Sequence, residues 1–224
     1  MKPSQPVADE VIELDDSHAD SAVELLTAAF ENDPGWRHVS GAVGDEHRRC
    51  LNVAYRAAWA LYRGFRQPSL GVLSGARLAG VALLNEPEVQ FPPPLRTRWA
   101  EEIRRAAGSE VLERLLQNGR EAMKQRPAQP HLYLSTLAVH PDFQGRGYGR
   151  ALLERTHALS EKHLGSDGVC LETENPQNVP LYEHFGYRVI GRYQYDQVEG
   201  AMLFRPNGSK TMLELDRHGG HVAF

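Results

Sequence analysis

One stretch constrains this chain more than any other: Leu137-Ala-Val-His-Pro-Asp-Phe-Gln-Gly-Arg-Gly-Tyr-Gly-Arg-Ala-Leu-Leu153. An apolar, β-prone run from His131 to Val139 stops at His140-Pro141. Glycines then alternate with other residues at Gly145, Gly147 and Gly149, and an amphipathic helical pattern continues to about His163. A strand that passes into a helix through glycines gathers several backbone N–H groups around one point, at the positive end of the helix dipole. Glycine lacks a Cβ, so the backbone there can reach φ > 0 and approach a ligand closely. Arg146 and Arg150 add positive charge at the same mouth. The loop reads as a phosphate cradle, and a glycine-rich turn without a ligand is the competing reading.

Spacing decides which cradle it is. A Walker loop needs a lysine directly after its last glycine, and none follows here. A dinucleotide fingerprint needs G-x-G-x-x-G early in a βαβ unit, whereas these glycines run G-x-G-x-G well past mid-chain. What fits is Gln144-x-x-Gly147-x-Gly149. It resembles the pyrophosphate motif of the GNAT superfamily of N-acetyltransferases: Gln or Arg, two residues, Gly, one residue, Gly or Ala. The resemblance implies acetyl-CoA as cosubstrate, its pyrophosphate held by Gln144, Gly145, Arg146, Gly147, Tyr148, Gly149 and Arg150. It also implies a bulged strand before the loop, splayed from its neighbour, with Leu137, Ala138 and Val139 alongside the pantetheine arm.

A second stretch agrees with the first. Gly168 to Thr173 is β-prone, Asn178 is a good helix N-cap, Pro180 suits a first turn, and Gly186 suits a left-handed helix end. Asn178 and Tyr182 then lie one helical turn apart on one face. In the resembled family the matching asparagine meets the coenzyme, and the matching tyrosine often protonates the leaving thiolate. Packing of Tyr182 in the core beside Leu181 and Phe185 is the alternative. The wording of both stretches is similar to the puromycin N-acetyltransferase-like branch, which hints at a xenobiotic amine without naming one.

The remaining pattern gives a β-α-α-β-β-(helices)-β-α-β-α-β-β order. A strand at Val11–Leu14 precedes a helix begun by Ser17-His-Ala-Asp20 and ended at Asn32-Asp-Pro-Gly35. A second helix spans about 46–63, a hairpin turns at Gly75, and helices over 96–124 break near Gly108. The fold class expected is α/β (α+β): one GNAT-type mixed central sheet over 1–224, flanked by helices and splayed between its fourth and fifth strands. An 86–130 insertion precedes the fourth strand; its helices are expected to pack on the sheet, and loop 86–95 is a candidate lid. Residues 1–8 and about 217–224 read as flexible ends.

Acyl transfer needs a proton acceptor for the amine and a donor for the sulfur. The resembled family often places a carboxylate on the fourth strand, but Tyr133, Leu134, Ser135, Thr136 and Leu137 stand there. Glu172 is a candidate base, with a structural carboxylate or a water chain as alternatives; Tyr182 is the candidate acid. Glu31 and Asp33, at the first helix exit, are candidate binders of a cationic acceptor. The ten histidines show no ligand spacing, so no metal is expected. A net charge of −4 gives no reason to expect a nucleic-acid or membrane partner. Cys50 and Cys170 make no disulfide framework, and a cytoplasmic enzyme follows as the default. The two function classes are an acetyl-CoA-dependent N-acetyltransferase acting on a primary amine of a small molecule, or less favourably a protein amino group, and a non-catalytic acyl-CoA-binding module. Oligomeric state is open.

Overall fold

The computed structural model describes residues 10–87 and 89–208. The expectations for residues 1–8 and for 217–224 lie outside these. Seven strands form one sheet: β1 (Val11–Glu13), β2 (Ser69–Ser74), β3 (Arg77–Asn85), β4 (Leu132–Val139), β5 (Gly168–Thr173), β6 (Arg188–Tyr195) and β7 (Val198–Pro206), in the order β1-β2-β3-β4-β5-β7-β6. Only β4 and β5 run parallel. Seven helices are described: α1 (Ala19–Phe30), α2 (Pro34–Ser40), α3 (Gly44–Gly64), α4 (Pro93–Ala107), α5 (Ser109–Met123), α6 (Tyr148–Lys162) and α7 (Val179–His184). None is long and apolar enough to cross a membrane.

The splay expected between the fourth and fifth strands is present. β4 pairs with β5 only at Leu132↔Val169, Tyr133↔Cys170 and Leu134↔Leu171, and beyond that the strands part. The bulge lies on β4, because Leu83 faces Thr136 while Leu84 faces Leu134, leaving Ser135 as the extra residue. Two hydrogen bonds pin it. The Tyr62 hydroxyl donates to Ser135 Oγ at 2.5 Å, and Ser135 Oγ donates to the Leu83 carbonyl at 3.3 Å.

Both faces of the sheet are covered. α6 buries Leu152 and Leu153 with Leu132, Leu171, Tyr182 and Tyr187, each leucine worth about 2 kcal/mol of apolar transfer. α1 and α3 bury Leu25, Leu26, Leu51 and Trp59 against Val81, Leu83 and Ala138 on the other face.

Several local readings change. Asn32-Asp-Pro-Gly35 ends α1 but also begins α2, which the sequence reading missed. Asp33 is its N-cap, accepting from Trp36 N at 3.0 Å, Pro34 is at the first turn, and Gly41 ends it at φ 60°. The capping box before α1 belongs to Asp15 and His18 rather than Ser17 and Asp20, because Asp15 accepts from Ser17 N at 2.9 Å. The inserted helices pack largely on other helices: Ile103 of α4 and Val111 and Leu112 of α5 meet Val39, Cys50 and Ala57 of α2 and α3. In the loop before α4, Phe91 packs with its ring 5.7 Å from Tyr62 and 5.6 Å from Phe65.

Candidate active site

The parting of β4 from β5 opens a groove of about 700 Å³ above the glycine loop. Leu137, Ala138 and Val139 form one wall, the loop and the start of α6 the floor, and Asn178, Leu181, Tyr182 and Phe185 the other wall. Gly145 and Gly147 have φ of 74° and 91°, so both need the left-handed region that glycine tolerates. Gly147 is the N-cap of α6 and supplies no side-chain bond to the first turn, which leaves those N–H groups for a ligand. An added Cβ at Gly145 or Gly147 would meet nothing within 4 Å, so the space above the loop is open. These features fit a pyrophosphate.

The expected cradle residues divide. Gln144, Gly145, Gly147, Tyr148, Gly149 and Arg150 line the groove. Gln144 Nε2 donates to the Val139 carbonyl at 3.3 Å, bracing the strand end against the loop. Arg146 does not line it; its guanidinium donates to the Asp142 carbonyl at 3.0 Å and lies over the Phe143 ring.

A second cavity of about 350 Å³ lies between the sheet and α1–α5. It meets the groove at Phe30, Asp33, Leu137, Asn178 and Tyr182, which line both. Asn178 and Tyr182 therefore share a face as their spacing requires. Asn178 is the N-cap residue of α7, as expected, but makes no side-chain cap bond; its amide turns back to donate to Thr173 Oγ1 at 3.3 Å, while Asn175 caps the short 3-10 turn at Pro176–Asn178, accepting from Gln177 N at 3.0 Å. Tyr182 packs in the core, its ring 5.7 Å from Tyr187, and still reaches both cavities. Its hydroxyl has no hydrogen bond among the described residues. Burial, then the charges of Asp33 and Glu174, push its pKa up to about 12.

Residues 100–189 match the family model of the acetyltransferase (GNAT) domain. That match spans 90 of the 224 residues. Acetyl-CoA is the donor of this acyltransferase class. The whole fold is similar to that of solved structures. One, described as a histone acetyltransferase HPA2 and related acetyltransferase from Corynebacterium glutamicum, is 20% identical with a TM-score of 0.70, covering 92% of this chain and 100% of that one. Arylalkylamine N-acetyltransferase 2 from Aedes aegypti is 14% identical with a TM-score of 0.57, covering 90% and 100%. A putative acetyltransferase, yncA, from Salmonella typhimurium, solved with acetyl-CoA, is 16% identical with a TM-score of 0.54, covering 92% and 97%.

The second cavity is lined by three carboxylates: Asp33, Glu172 and Glu174. Glu172 is on β5 and Glu174 lies in the bend just past its end; both line this cavity. Asp33 and Glu174 flank Gly35, whose Cβ position lies 3.2 Å from both Asp33 Oδ1 and Glu174 Cγ. Burial raises the pKa of Asp33, against the lowering pull of the Trp36 and Gly35 N–H groups. Burial also raises Glu174, although the Tyr193 hydroxyl donates to its Oε1 at 2.7 Å. Glu172 is pushed up to about 8, first by burial and then by the Glu174 charge, while Tyr133 and Arg126 pull it down.

Glu31 stands apart from both cavities. It pairs with Arg48 at 3.1 Å and its carbonyl accepts from His47 Nε2 at 3.0 Å. Glu174 was missed, because it lies in the bend just past the end of β5. The aromatic wall of Trp36, Tyr55, Tyr62 and Trp99, with Asn118, comes from four helices and left no local signal. Among the described residues, no cluster of three or more His, Cys, Asp or Glu is arranged to hold a metal ion.

Proposed function

We propose that the protein transfers the acetyl group of acetyl-CoA to a primary amine of a small molecule, by direct attack with both substrates bound. The observation that carries this is the meeting of two unlike cavities at Tyr182. An N–H-rich cradle lies on one side, and a carboxylate-walled pocket with no Lys, Arg or His lies on the other. Such a pocket suits an ammonium-bearing guest, and its aromatic walls suit the same charge. Holding thioester and amine together makes a bimolecular step effectively unimolecular. The backbone of the parted half of β4 supplies N–H groups for the developing oxyanion.

An alkyl ammonium near pKa ~10 must lose a proton before it attacks. We assign this proton to Glu174, with Asp33 beside it, rather than to Glu172. Glu174 and Asp33 are the carboxylates whose charges reach Tyr182. A carboxylate raised toward neutrality is a better base for this task than an ordinary one. With a pKa of about 12, Tyr182 stays protonated near neutral pH and is available to the leaving sulfur.

A non-catalytic acyl-CoA-binding module is less well supported, because it gives no reason for an unbonded tyrosine hydroxyl and a carboxylate pair at the junction. The branch likeness makes an aminonucleoside or other xenobiotic amine a first choice for screening. The test is release of free thiol from acetyl-CoA with and without a panel of primary amines. Amine-dependent release is expected. Coenzyme binding without release for any amine overturns the transferase reading.

A further inference from the structure

Two buried tyrosines share one face of β6, Tyr193 and Tyr195. Their rings stack, with centroids 6.5 Å apart and planes 18° apart. Only one of them reaches a hydrogen-bond partner. The Tyr193 hydroxyl donates to Glu174 Oε1 at 2.7 Å, whereas the Tyr195 hydroxyl has no hydrogen bond among the described residues. The difference lies across the ladder, where Tyr195 faces Val198 on β7 and Tyr193 faces Gly200. A Cβ at Gly200 would overlap Cζ and both Cε atoms of the Tyr193 ring, so the ring lies where a side chain of β7 would otherwise stand. Gly200 is not among the positive-φ residues, so glycine is needed there for room and not for its backbone angles.

Burial works against the charge of Glu174, and so does the carboxylate of Asp33. The Tyr193 bond is the largest opposing influence, ahead of that of Asn118 on α5. Glu172 on β5 is itself raised by Glu174, and Tyr55 on α3, Tyr182 on α7 and Tyr195 bring no positive charge. The outer side of Glu174 faces a pocket of about 480 Å³ that Gly200 also lines, together with His38, Arg192 and Glu199. His38 pairs there with Asp196 at 2.9 Å.

Resting on the assignment of Glu174 as the acceptor-side base, we propose that Tyr193 and Gly200 are its positioning pair. The missing side chain at Gly200 lets the Tyr193 ring lie across β7. The ring's hydroxyl then holds Glu174 Oε1 in one place and keeps the carboxylate ionised to receive the proton of the amine. Neither residue lines the acceptor cavity, so both act through Glu174.

Two readouts on the full chain test the pair. One is the pH titration of the Glu174 carboxyl carbon resonance in glutamate-labelled protein, assigned with Glu174→Gln. The other is the acid limb of kcat/KM for an amine that is turned over. Tyr193→Phe keeps the ring and removes the hydroxyl, while Gly200→Ala keeps the hydroxyl and displaces the ring. Both should move the Glu174 midpoint and the acid limb to higher pH. On the acid side kcat/KM should fall about tenfold, the scale of one hydrogen bond to a charged group, while the plateau at higher pH is kept. A merely loosened fold would lower the plateau too. The double variant should titrate as Tyr193→Phe does alone, because the bond can be lost only once. A parental Glu174 midpoint in Tyr193→Phe overturns the proposal, as does a further displacement in the double variant. Tyr193→Phe decides the matter even where Gly200→Ala does not fold, since it leaves the packing in place. A midpoint that moves while the acid limb does not refutes Glu174 as the base, and with it the catalytic role of the pair, but not the bond.

Discussion

Gly147 offers a sharp separation of backbone strain from ligand binding. The residue sits at φ 91° and ψ −2° as the N-cap of α6. An L-residue held in the left-handed region costs about 1–2 kcal/mol. No atom lies within 4 Å of the added Cβ, so Gly147→Ala suffers that cost alone, without collision. In a chain of this size each kcal/mol moves the melting temperature by about 2–4 °C, so a drop of roughly 2–8 °C is expected. Gly149→Ala is the control. Gly149 is not among the positive-φ residues, and its Cβ would touch Val139 Cγ2 at an ordinary 3.6 Å. Alanine gains helix propensity of up to ~1 kcal/mol there, so stability should hold or rise.

Coenzyme A then reads the cradle itself. At one hundred times its Kd a ligand adds about 2.7 kcal/mol, which is roughly 5–11 °C of melting temperature. Gly147→Glu should lose nearly all of this shift, because a carboxylate would stand where the pyrophosphate belongs. Thermal melts of the three variants, with and without coenzyme A, measure both quantities. A Gly147→Ala protein as stable as the parent would refute the strained conformation. A full coenzyme shift in Gly147→Glu would refute the cradle.

Other consequences follow from the acceptor side. Gly119→Leu should fill the open inner end of the cavity and raise KM for the longest acceptors about tenfold or more, the scale of a wrongly filled apolar pocket. Coenzyme-induced stabilisation should be unchanged in that variant. Tyr193→Phe removes the donor to Glu174 Oε1 and so raises the Glu174 pKa further; the acid limb of kcat/KM against pH should move to higher pH. Glu172 contributes a pH dependence of stability. Its pKa is about 8 when folded against 4.5 as the unperturbed value, so the folded state keeps a proton that the unfolded chain loses. That contribution is complete below about pH 4.5 and fades as pH rises through about 8, and Glu172→Gln should flatten melting temperature against pH across this window.

Local chemistry carried much of this fold in the sequence. The strand, glycine loop and helix at 131–163 are contiguous, and their turn residues need particular backbone angles, so spacing alone placed them. The splay also came through, since it follows from the family that the glycine loop resembles. What failed was punctuation with two meanings. Asn32-Asp-Pro-Gly35 stops one helix, yet Asp33 and Pro34 are equally good at starting the next. Glu31 and Asp33 looked alike as helix-end acids, but two residues of turn send one to Arg48 and the other into the cavity. The acceptor pocket was the least legible part, because Trp36, Tyr62, Trp99 and Asn118 converge only after four helices pack. Glu174 fell just beyond the strand pattern, and its place in the cavity depends on how the chain bends after β5.

The most direct measurement compares amine-dependent thiol release by the parent and by Tyr182→Phe, with coenzyme A affinity determined on the same samples. Phenylalanine keeps the ring that packs against Tyr187 and removes only the hydroxyl. If that hydroxyl serves the leaving sulfur, kcat should fall by about 100-fold or more, the usual range for a general acid, while coenzyme affinity stays nearly unchanged. A Tyr182→Phe protein with parental kcat would contradict the assignment of acetyl transfer to this junction.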